Sequence, residues 1–486
     1  MDLSGFFNPR SIAIVGASDR LSSWGFIVLH NIVSNNFQGK IFPINPRVKE
    51  ILGLPAYSTI LEIPPEENLD LVIIIIKAPS VKSILEQCTQ RGVKNVVVIS
   101  GGFRESGKEG TKLEEDLITY AKENGIRIIG PNGMGIVTTR VGLTAVMWPV
   151  QGLKPGGFTL ISQSGNIGTI GLSVAARRGI GLSAYISGGN FADLQIEDYL
   201  EYLGNQDSQT KVIGLYLEGV RDGRRFAALV REISKTKPVI ILKAGGTETG
   251  RKAALSHTGA ITGDDQVFKQ ILKAAGAIIV DSLEEMFDLV LAFKNWHEYQ
   301  FLHNKVVILT RGGGWGVMTS DACSHYGVQL AHLPKEAYER IDALLPSYWS
   351  RGNPIDTVAD LNLSTLREII QIVFEEMSNI DAMFLLGVGG ISFLAQQAKQ
   401  SPYILNDNQE MLDRVSVAES SLLTKITKLS LQYEKPVFIT TLLTPENSPA
   451  VAQLSSQDYP VFRSPHGMVK CFRHLVDHYK WRQKNN

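Results

Sequence analysis

The sequence contains few cysteines, no excess of either charge and no long hydrophobic run. Its 486 residues include only Cys88, Cys323 and Cys471, which lie far apart without a CxxC pair. Neither a zinc site nor a disulfide framework is therefore expected, and a reducing compartment is favoured. Lysine plus arginine and aspartate plus glutamate both number 48, which gives no reason to expect nucleic acid or an anionic membrane surface as the main partner.

Targeting and membrane signals are also missing. The first ten residues, MDLSGFFNPR, have no basic segment followed by an apolar core, so we expect no signal peptide and a cytoplasmic protein. The longest aliphatic run, Leu71 to Ile76, is far shorter than the roughly 20 residues of a membrane-spanning helix. With 44% hydrophobic residues, the chain is expected to be globular, and its length suggests about three domains.

The first 140 residues alternate buried apolar segments with helical ones and predict a doubly wound parallel sheet. The predicted strands are Ser11–Val15, Lys40–Ile44, Leu69–Ile76, Val93–Ile99 and Ile126–Ile129. Gly16-Ala17-Ser18 precedes a helix from about Gly25 to Asn35, an order that favours an anion at the helix N-terminus. The full GxGxxG fingerprint is absent. Arg47 stands where an NAD site has an acidic residue; it suits the phosphorylated ribose of NADP or coenzyme A (CoA), although a solvated turn arginine explains it equally.

A proline-containing segment, Pro149–Pro155, separates a second predicted sheet from the first. Its strands are expected at Gly157–Ile161 and near Leu182–Ile186, Lys211–Leu217 and Pro238–Leu242. The turn Ser162-Gln163-Ser164-Gly165-Asn166 leads from the first of these strands into a helix. The dipole of that helix favours a phosphate at the turn.

His257 lies in the small-residue segment ALSHTGA, on a loop after the strand that ends near Leu242. A neutral imidazole is a nucleophile near pH 7 and can carry a phosphoryl group if a neighbour holds its other N–H. Glu218 ends the adjacent predicted strand and could accept that N–H. The alternatives are a loop histidine that bonds only its own turn and a glutamate that caps the next helix.

The last third again places glycine turns after predicted strands. Arg311-Gly312-Gly313-Gly314-Trp315-Gly316 follows the strand Lys305–Thr310, and Gly387–Ser392 follows Met383–Leu386. One such turn is common in α/β proteins. Three of them beside a candidate nucleophilic histidine indicate phosphate chemistry.

Seven segments, in order, resemble the α subunit of the nucleoside-diphosphate-forming acyl-CoA synthetases, the superfamily of succinyl-CoA synthetase and ADP-forming acetyl-CoA synthetase. They are FFNPRSIAIVGAS (6–18), INPR (44–47), GPNGMG (130–135), LISQSGNIG (160–168), SGGNFADL (187–194), LYLEG (215–219) and ALSHTGA (254–260). The resemblance implies an α/β chain with a Rossmann-like CoA-binding domain (1–145), a flavodoxin-like ligase domain with a phosphohistidine loop (146–300) and a second flavodoxin-like ligase domain (301–486).

The same resemblance implies an ADP-forming acid:CoA ligase that works through an acyl phosphate and a phosphohistidine on His257, oriented by Glu218. The implied CoA contacts are Gly16, Ala17, Ser18, Asn45, Pro46, Arg47, Ser100 and Gly101. The implied phosphate-binding helix N-termini are Ser162, Gln163, Ser164, Gly165 and Asn166, paired with Gly312, Gly313 and Gly314. The implied acid-binding residues are Arg311, Trp315, Gly390, Ile391 and Ser392. No metal site is expected in this chain, because ATP or ADP and Mg²⁺ would bind an ATP-grasp β subunit in a hetero-oligomer.

Three departures from the family pattern bear on the acid substrate and on activity. Gly133 replaces the usual cysteine after GPN, Arg311 replaces an asparagine, and Trp315 stands where related chains have a small residue or proline. Two other functions stay open at this stage. One is a non-catalytic CoA-binding regulatory module, against which the intact SHTGA and LEG motifs argue. The other is an NADP-dependent oxidoreductase, which would leave His257 unexplained.

Overall fold

A computed structural model describes residues 2–247, 249–250, 265–358, 362–401, 403 and 408–485. The chain divides into two compact units, Met1–Met286 and Phe287–Asn486. The first unit contains two of the three large sheets, and the second unit contains the third. The apolar segments that the sequence singled out form strands in all three sheets.

The first sheet is five-stranded and entirely parallel, with strand order β2-β1-β5-β6-β7. Its strands and a small two-stranded hairpin (β3, β4) are β1 (Ser11–Val15), β2 (Lys40–Ile44), β3 (Glu50–Ile51), β4 (Leu54–Pro55), β5 (Leu71–Ile74), β6 (Asn95–Val98) and β7 (Arg127–Ile129). Its helices are α1 (Ser4–Phe7), α2 (Trp24–Ser34), α3 (Val81–Gln90) and α4 (Lys108–Glu123). Every residue of β1 and β5 is buried, as a sheet covered on both faces requires.

The second sheet has seven strands in the order β14-β13-β12-β10-β11-β8-β9. They are β8 (Gly135–Thr138), β9 (Leu143–Val146), β10 (Pro155–Ser162), β11 (Leu182–Ser187), β12 (Val212–Leu217), β13 (Val239–Lys243) and β14 (Ile278–Val280). The helices are α5 (Gly165–Arg177), α6 (Ile196–Asn205), α7 (Gly223–Ile233) and α8 (Asp265–Ala274), and α9 (Leu283–Trp296) begins at the end of the first unit and continues into the second. The four predicted strands form its parallel centre, whereas the antiparallel pair β8 and β9 was not predicted.

The third sheet lies in the second unit and pairs its strands in parallel, in the order β16-β15-β18-β19-β20 with β17 beside β15. The strands are β15 (Lys305–Thr310), β16 (Gln329–Leu330), β17 (Ile355–Asp356), β18 (Ala382–Leu386), β19 (Val437–Thr440) and β20 (Val461–Phe462). The helices are α10 (Gly313–Tyr326), α11 (Lys335–Asp342), α12 (Leu363–Glu376), α13 (Gly390–Lys399), α14 (Gln409–Gln432), α15 (Pro449–Ser456) and α16 (Pro465–Asn485).

Within the first unit, one hydrophobic cluster runs from the α1 residues to the second sheet. Phe7 stacks on Tyr202 with ring centroids 5.3 Å apart, and the Thr138 hydroxyl donates to the Phe7 carbonyl at 2.8 Å. Arg127 forms an ion pair of 2.8 Å with Asp193, whose side chain is 2% exposed. Packing and polar contacts thus fix the first two sheets against each other.

The architecture confirms the predicted α/β class with doubly wound sheets. The domain limits at 145 and 300 stay a prediction. In the residues that the structure describes, no helix is long and apolar enough to cross a membrane.

Candidate active site

The predicted CoA-binding residues gather along one edge of the first sheet. Val15 of β1 lies level with Ile44 of β2 and Ile74 of β5, and Ile74 lies level with Val98 of β6. The segments that follow these residues therefore leave the sheet side by side. In parallel sheets, this carboxyl edge is where ligands bind.

The Gly16 turn is shaped for a close backbone approach. Gly16 has a φ of +94°, and a Cβ at this position would overlap the carbonyl oxygen of Ile75. A Cβ at Gly25 would in turn overlap the Gly16 carbonyl, so only glycine lets the first turn of α2 pack against it. Ser23 caps α2, its hydroxyl accepting from the Phe26 N–H at 3.2 Å. A helix N-terminus thus adjoins a turn of small residues, an arrangement that suits a phosphate group.

The Asn45–Arg47 turn is tied to the Gly16 turn. The Asn45 side chain donates to the Ala17 carbonyl at 2.8 Å, and its oxygen accepts from the Arg47 N–H at 2.9 Å. Pro46 and Arg47 are exposed. The turn is therefore fixed while the guanidinium of Arg47 stays accessible to a ligand.

Ser100 and Gly101 have different surroundings. Ser100 is buried, and its hydroxyl accepts from the Ile76 N–H at 3.0 Å. Gly101 is exposed. Ser100 thus holds the end of β5, and the accessible part of this predicted contact is the backbone around Gly101.

A polar network next to Gly101 was not predicted from the sequence. The Asn190 Nδ2 donates to Glu105 Oε2 at 2.7 Å and to Glu114 Oε2 at 2.6 Å. Asn132 Nδ2 donates to Asn190 Oδ1 at 3.3 Å. Asn132 and Asn190 do belong to the motifs GPNGMG and SGGNFADL, but a motif does not show which side chains meet.

Gly133, the first departure from the family pattern, has a steric reason in this fold. A Cβ there would overlap the carbonyl oxygen of Ser187, at the end of β11. The backbone of β11 therefore leaves no space for a cysteine side chain at this position.

The predicted phosphate turn at Ser162–Asn166 starts α5. Ser164 is the N-cap, and its hydroxyl accepts from the Ile167 N–H at 3.5 Å. The Ser162 hydroxyl is fully buried and donates to the Ser164 carbonyl at 2.6 Å. A Cβ at Gly168 would overlap the Tyr185 hydroxyl, so α5 packs tightly on the sheet. The remaining N–H groups of the first turn have no intrahelical acceptor, as the predicted phosphate site requires.

Gln163 links this turn to the end of β12. Its Oε1 accepts from the backbone N–H groups of Glu218 and, at 3.0 Å, of Gly219, and its Nε2 donates to the Gly219 carbonyl at 2.8 Å. Gln163 is thus a structural contact between the two predicted site segments.

Glu218 is 7% exposed, and its Oε2 is buried without a hydrogen-bond partner among the described residues. Burial raises the pKa of the Tyr216 phenol, and the negative charge of Glu218 raises it further. A buried carboxylate oxygen without a donor is costly. Glu218 therefore presents an acceptor that suits the N–H of an imidazole.

Lys243 ends β13, level with Leu217 of β12, and its ammonium group donates to the carbonyls of Glu218, at 2.9 Å, and Ala244. Burial lowers its pKa, although Asp265 and Glu218 act in the opposite direction. His257, the predicted nucleophile, lies outside the described residues. The strand that precedes His257 in the sequence, β13, thus ends at Lys243, which is hydrogen-bonded to the Glu218 backbone.

In the second unit, the turn after β15 forms the N-terminus of α10. Gly312 is its N-cap in an extended conformation, and the Thr310 hydroxyl donates to the Gly312 carbonyl at 2.9 Å. Gly313 and Gly314 are exposed, and a Cβ on Gly314 would meet nothing within 4 Å. The first N–H groups of α10 are therefore accessible, as predicted phosphate ligands must be.

Arg311 and the Gly390–Ser392 turn meet at a buried carboxylate. Glu419 of α14 is 2% exposed, and its oxygens accept from the N–H groups of Gly389 at 3.0 Å, Ile391 at 3.4 Å and Ser392 at 2.7 Å. The Arg311 Nη1 lies 3.8 Å from Glu419 Oε1, and the Arg311 side chain is 10% exposed. The N-terminus of α13 therefore already holds an anion from its own chain. Trp315 is half-buried, with its Cδ1 4.0 Å from the position of a Cβ on Gly387.

In the described ranges, no cluster of three or more histidine, cysteine, aspartate or glutamate side chains is arranged to hold a metal ion.

Three domain families match the chain. Residues 10–139 match a CoA-binding domain, residues 155–293 a succinyl-CoA ligase-like flavodoxin domain, and residues 306–389 a ligase-CoA domain. These matches agree with the positions of the three sheets. They confirm the predicted order of a CoA-binding domain and two ligase domains.

Relatives with known names share much of the sequence. The α subunit of ADP-forming acetate–CoA ligase I of Pyrococcus furiosus is 34% identical over 495 residues, which cover 100% of this chain and 99% of the relative. The ADP-forming acetate–CoA ligase I of Archaeoglobus fulgidus is 37% identical over 78% of this chain, which spans only 54% of that protein.

A solved structure matches the fold along its whole length. The dinucleotide-forming acetyl-coenzyme A synthetase 1 of Ca. Korarchaeum cryptofilum, in complex with phosphate and ADP, has a TM-score of 0.85 and 30% sequence identity, and the match covers 99% of this chain and 98% of that one. The predicted acid:CoA ligase function is confirmed at the level of the family, and the regulatory module is not favoured. This chain therefore belongs to the α-subunit family of the ADP-forming acid:CoA ligases.

Proposed function

We propose that the chain interconverts acyl-CoA, ADP and phosphate with a carboxylic acid, CoA and ATP, through an acyl phosphate and a phosphohistidine on His257. Phosphate displaces the CoA thiol from the acyl group, and an imidazole nitrogen of His257 then takes the phosphoryl group as the carboxylate leaves. ADP finally accepts the phosphoryl group from His257. Each step exchanges one phosphoryl or acyl group for another, so no oxidant or reductant is needed.

The observation that carries this proposal is the Oε2 of Glu218, which is buried and has no hydrogen-bond partner among the described residues. A carboxylate that accepts one imidazole N–H leaves the other ring nitrogen as the nucleophile and stabilises the positive ring that forms. Lys243 donates a hydrogen bond to the Glu218 carbonyl, and the Gln163 Oε1 accepts one from the Glu218 N–H, so both fix the Glu218 backbone. Both hold the acceptor at the end of the strand adjacent to the one that leads to His257.

The phosphoryl group itself needs donors for its oxygens. We propose the N-terminus of α5, at Ser162–Asn166, as one such element, and the accessible N-terminus of α10, at Gly312–Gly314, as another. Backbone N–H groups and the helix dipole stabilise the charge that develops on transferring oxygens. The Ser164 cap and the buried Ser162 hydroxyl keep the first turn of α5 rigid.

The carboxyl edge of the first sheet is the proposed CoA site. Gly16 and Gly25 pack closely and carry no side chains. A ligand can therefore come close to the backbone of this turn. Ala17 and Ser18 continue that turn, and Asn45–Arg47 is tied to it. Arg47, exposed at the end of β2, would bind the 3′-phosphate of CoA through charge-assisted hydrogen bonds.

For the acid, we propose a site shaped by Arg311 and Trp315, with the Gly390–Ser392 turn as its supporting backbone. Arg311 brings a cation to a place where Glu419 already balances part of its charge. Trp315 would add an apolar or aromatic wall. The acid is then one other than succinate.

The nucleotide and Mg²⁺ are proposed to bind a separate ATP-grasp β subunit, with which this chain forms a hetero-oligomer in the cytoplasm. The Pyrococcus furiosus relative that matches along its whole length is itself named an α subunit. Cys88 and Cys323 are buried free thiols, and Cys471 is also buried, which agrees with a reducing compartment.

Histidine phosphorylation tests the reaction directly. The purified chain is incubated with acetyl-CoA and ³²P-labelled phosphate, and the labelled protein is treated with acid or base. We expect a label that base leaves and acid removes, and none in His257→Asn. The phosphohistidine mechanism would be overturned if the wild-type chain stayed unlabelled with acetyl-CoA, propionyl-CoA and a series of aromatic acyl-CoA esters. It would also be overturned if the His257→Asn chain were labelled equally.

A further inference from the structure

Asn132 lies at the proposed CoA site but is not among the contacts assigned above. It is exposed and has a φ of +60°. Its backbone N–H donates to the Ser100 carbonyl at 2.9 Å. Its Oδ1 lies 3.2 Å from where a Cβ on Gly101 would be. The side-chain amide is therefore held against the accessible backbone at Gly101.

The orientation of this amide is set by Asn190, which is 9% exposed. Ionised carboxylates only accept hydrogen bonds, so the Asn190 Nδ2 must face Glu105 and Glu114, which it contacts at 2.7 and 2.6 Å. The Asn190 Oδ1 then faces Asn132 and can only accept. Asn132 must consequently turn its Nδ2 toward Asn190, at 3.3 Å, and its Oδ1 remains for a ligand.

The two carboxylates are themselves anchored. Glu105 Oε1 accepts from the N–H groups of Gly102 at 2.6 Å and Phe103 at 3.0 Å. Burial would raise the pKa of Glu105, but the hydrogen bonds from Asn190 and the two backbone groups outweigh it and lower the pKa. Arg104 lies 3.5 Å from Glu114. Glu105 therefore stays ionised at neutral pH, and the hydrogen bonds hold the network in one orientation.

We infer that Asn132 is a CoA-binding residue whose Oδ1 accepts a hydrogen bond from an amide N–H of the pantetheine arm, and that Asn190 is the residue that positions it. The inference rests on the proposed CoA site. The pantetheine arm carries two amide N–H groups and no charge, so a neutral acceptor suits it. Arg47, at the end of β2, provides the cation for the phosphate end.

Three ligands separate these contacts in a calorimetric binding experiment on the full chain. CoA and dephospho-CoA both carry the pantetheine arm, whereas adenosine 3′,5′-bisphosphate lacks it. We expect Asn132→Ala to weaken CoA and dephospho-CoA equally, by about 2- to 12-fold for one neutral hydrogen bond, and to leave the bisphosphate unchanged. Asn36→Ala is the matched control, since Asn36 is exposed with a φ of +56° in the same unit.

The positioning role of Asn190 needs a double-mutant cycle. If Asn190 acts through Asn132, then Asn190→Ala weakens CoA in the wild-type chain but has no further effect in Asn132→Ala. Additive losses would overturn the positioning role. Unchanged CoA affinity in Asn132→Ala, or an equal loss for all three ligands, would overturn the pantetheine contact alone. A wild-type chain that binds none of the three ligands would overturn the CoA site as well.

Discussion

Gln163 holds the backbone of Glu218 through its side-chain amide. The Gln163 Oε1 accepts hydrogen bonds from the backbone N–H groups of Glu218 and Gly219, and the Gln163 Nε2 donates one to the Gly219 carbonyl. The start of the α5 phosphate turn and the end of β12 therefore form one rigid element. The helix proposed to bind phosphate and the carboxylate proposed to orient the nucleophile are thus fixed relative to each other before any ligand binds, as phosphoryl transfer requires.

Replacing Glu218 by glutamine tests that element. The amide is nearly isosteric, so the fold should persist, but the neutral group holds an imidazolium less strongly. We expect histidine phosphorylation to slow by about 10²- to 10⁴-fold, with CoA binding unchanged. Single-turnover labelling measures the rate. Glu232→Gln is the control, since the Glu232 side chain is 64% exposed and pairs only with Lys235 among the ion pairs found in the described residues. A wild-type labelling rate in Glu218→Gln would remove the orienting role.

A second prediction concerns the Gly16 turn. Gly16→Ala meets both a φ of +94° and an overlap with the Ile75 carbonyl, whereas Gly53→Ala meets a φ of +78° with nothing within 4 Å. The left-handed backbone alone costs about 1–2 kcal/mol. We therefore expect Gly53→Ala to lower the free energy of unfolding by that amount and Gly16→Ala to lower it further and to weaken CoA. Urea unfolding of both variants measures the difference. Equal losses of unfolding free energy would show that the Gly16 turn adjusts to a Cβ without additional cost.

The sequence predicted the buried strands well because burial on both faces leaves a direct mark. Leu71–Ile74 and Ala382–Leu386 are continuous apolar runs, and both are central strands. The strands β8 and β9 are also buried throughout, but they are short, and β8 begins at the end of a glycine-rich motif. Their sheet is decided by the antiparallel pairing of β8 with β11 and of β9 with β8.

The site was predictable where a turn is local and less so where distant side chains meet. Gly16 and Ser164 could be placed because a strand, a turn and a helix follow one another in sequence. Glu419 could not, since 108 residues separate it from Arg311. Nothing in the sequence showed that its carboxylate would cap α13 and engage the N–H groups assigned to a substrate. Asn190 was likewise visible only as part of a motif.

Arg47 gives a third prediction. If it binds the 3′-phosphate, Arg47→Ala should weaken CoA more than dephospho-CoA by about 1.5–3 kcal/mol, the range for a hydrogen bond to a charged group. Calorimetric titration with both ligands measures the difference. Lys335→Ala is a suitable control, because the Lys335 side chain is 80% exposed in the second unit. Equal losses for both ligands would make Arg47 a solvated residue of the turn.

A fourth prediction concerns the acid. Arg311→Asn removes the guanidinium that lies 3.8 Å from Glu419, and we expect it to change the ratio of KM values among acetate, longer aliphatic acids and aromatic acids. For the acid that the wild-type enzyme prefers, KM should rise by about 10- to 150-fold if Arg311 binds the carboxylate. KM for CoA should stay the same.

Arg340→Asn is the control for this variant, since Arg340 pairs with Glu375 and Glu376 at the surface. Arg311→Asn leaves the Glu419 carboxylate without its arginine partner. Adding Glu419→Gln removes that carboxylate, so the double variant tests the effect on stability separately. An unchanged acid profile in Arg311→Asn would mean that Arg311 serves the fold through Glu419 and does not select the substrate.

The fifth prediction is that the 486-residue chain does not complete the reaction alone. Its three large sheets are doubly wound, and the sequence contains no GxxxxGK[ST] loop. We expect a phosphohistidine to form on this chain from acyl-CoA and phosphate, but transfer to ADP needs a nucleotide site, which we assign to an ATP-grasp subunit. ADP release from ATP, CoA and a panel of short-chain and aromatic acids is measured with and without that subunit. We expect turnover only with it. Labelled His257 without turnover would support the division between two chains, whereas sustained ADP release from the isolated chain would reveal a nucleotide site within its own three domains.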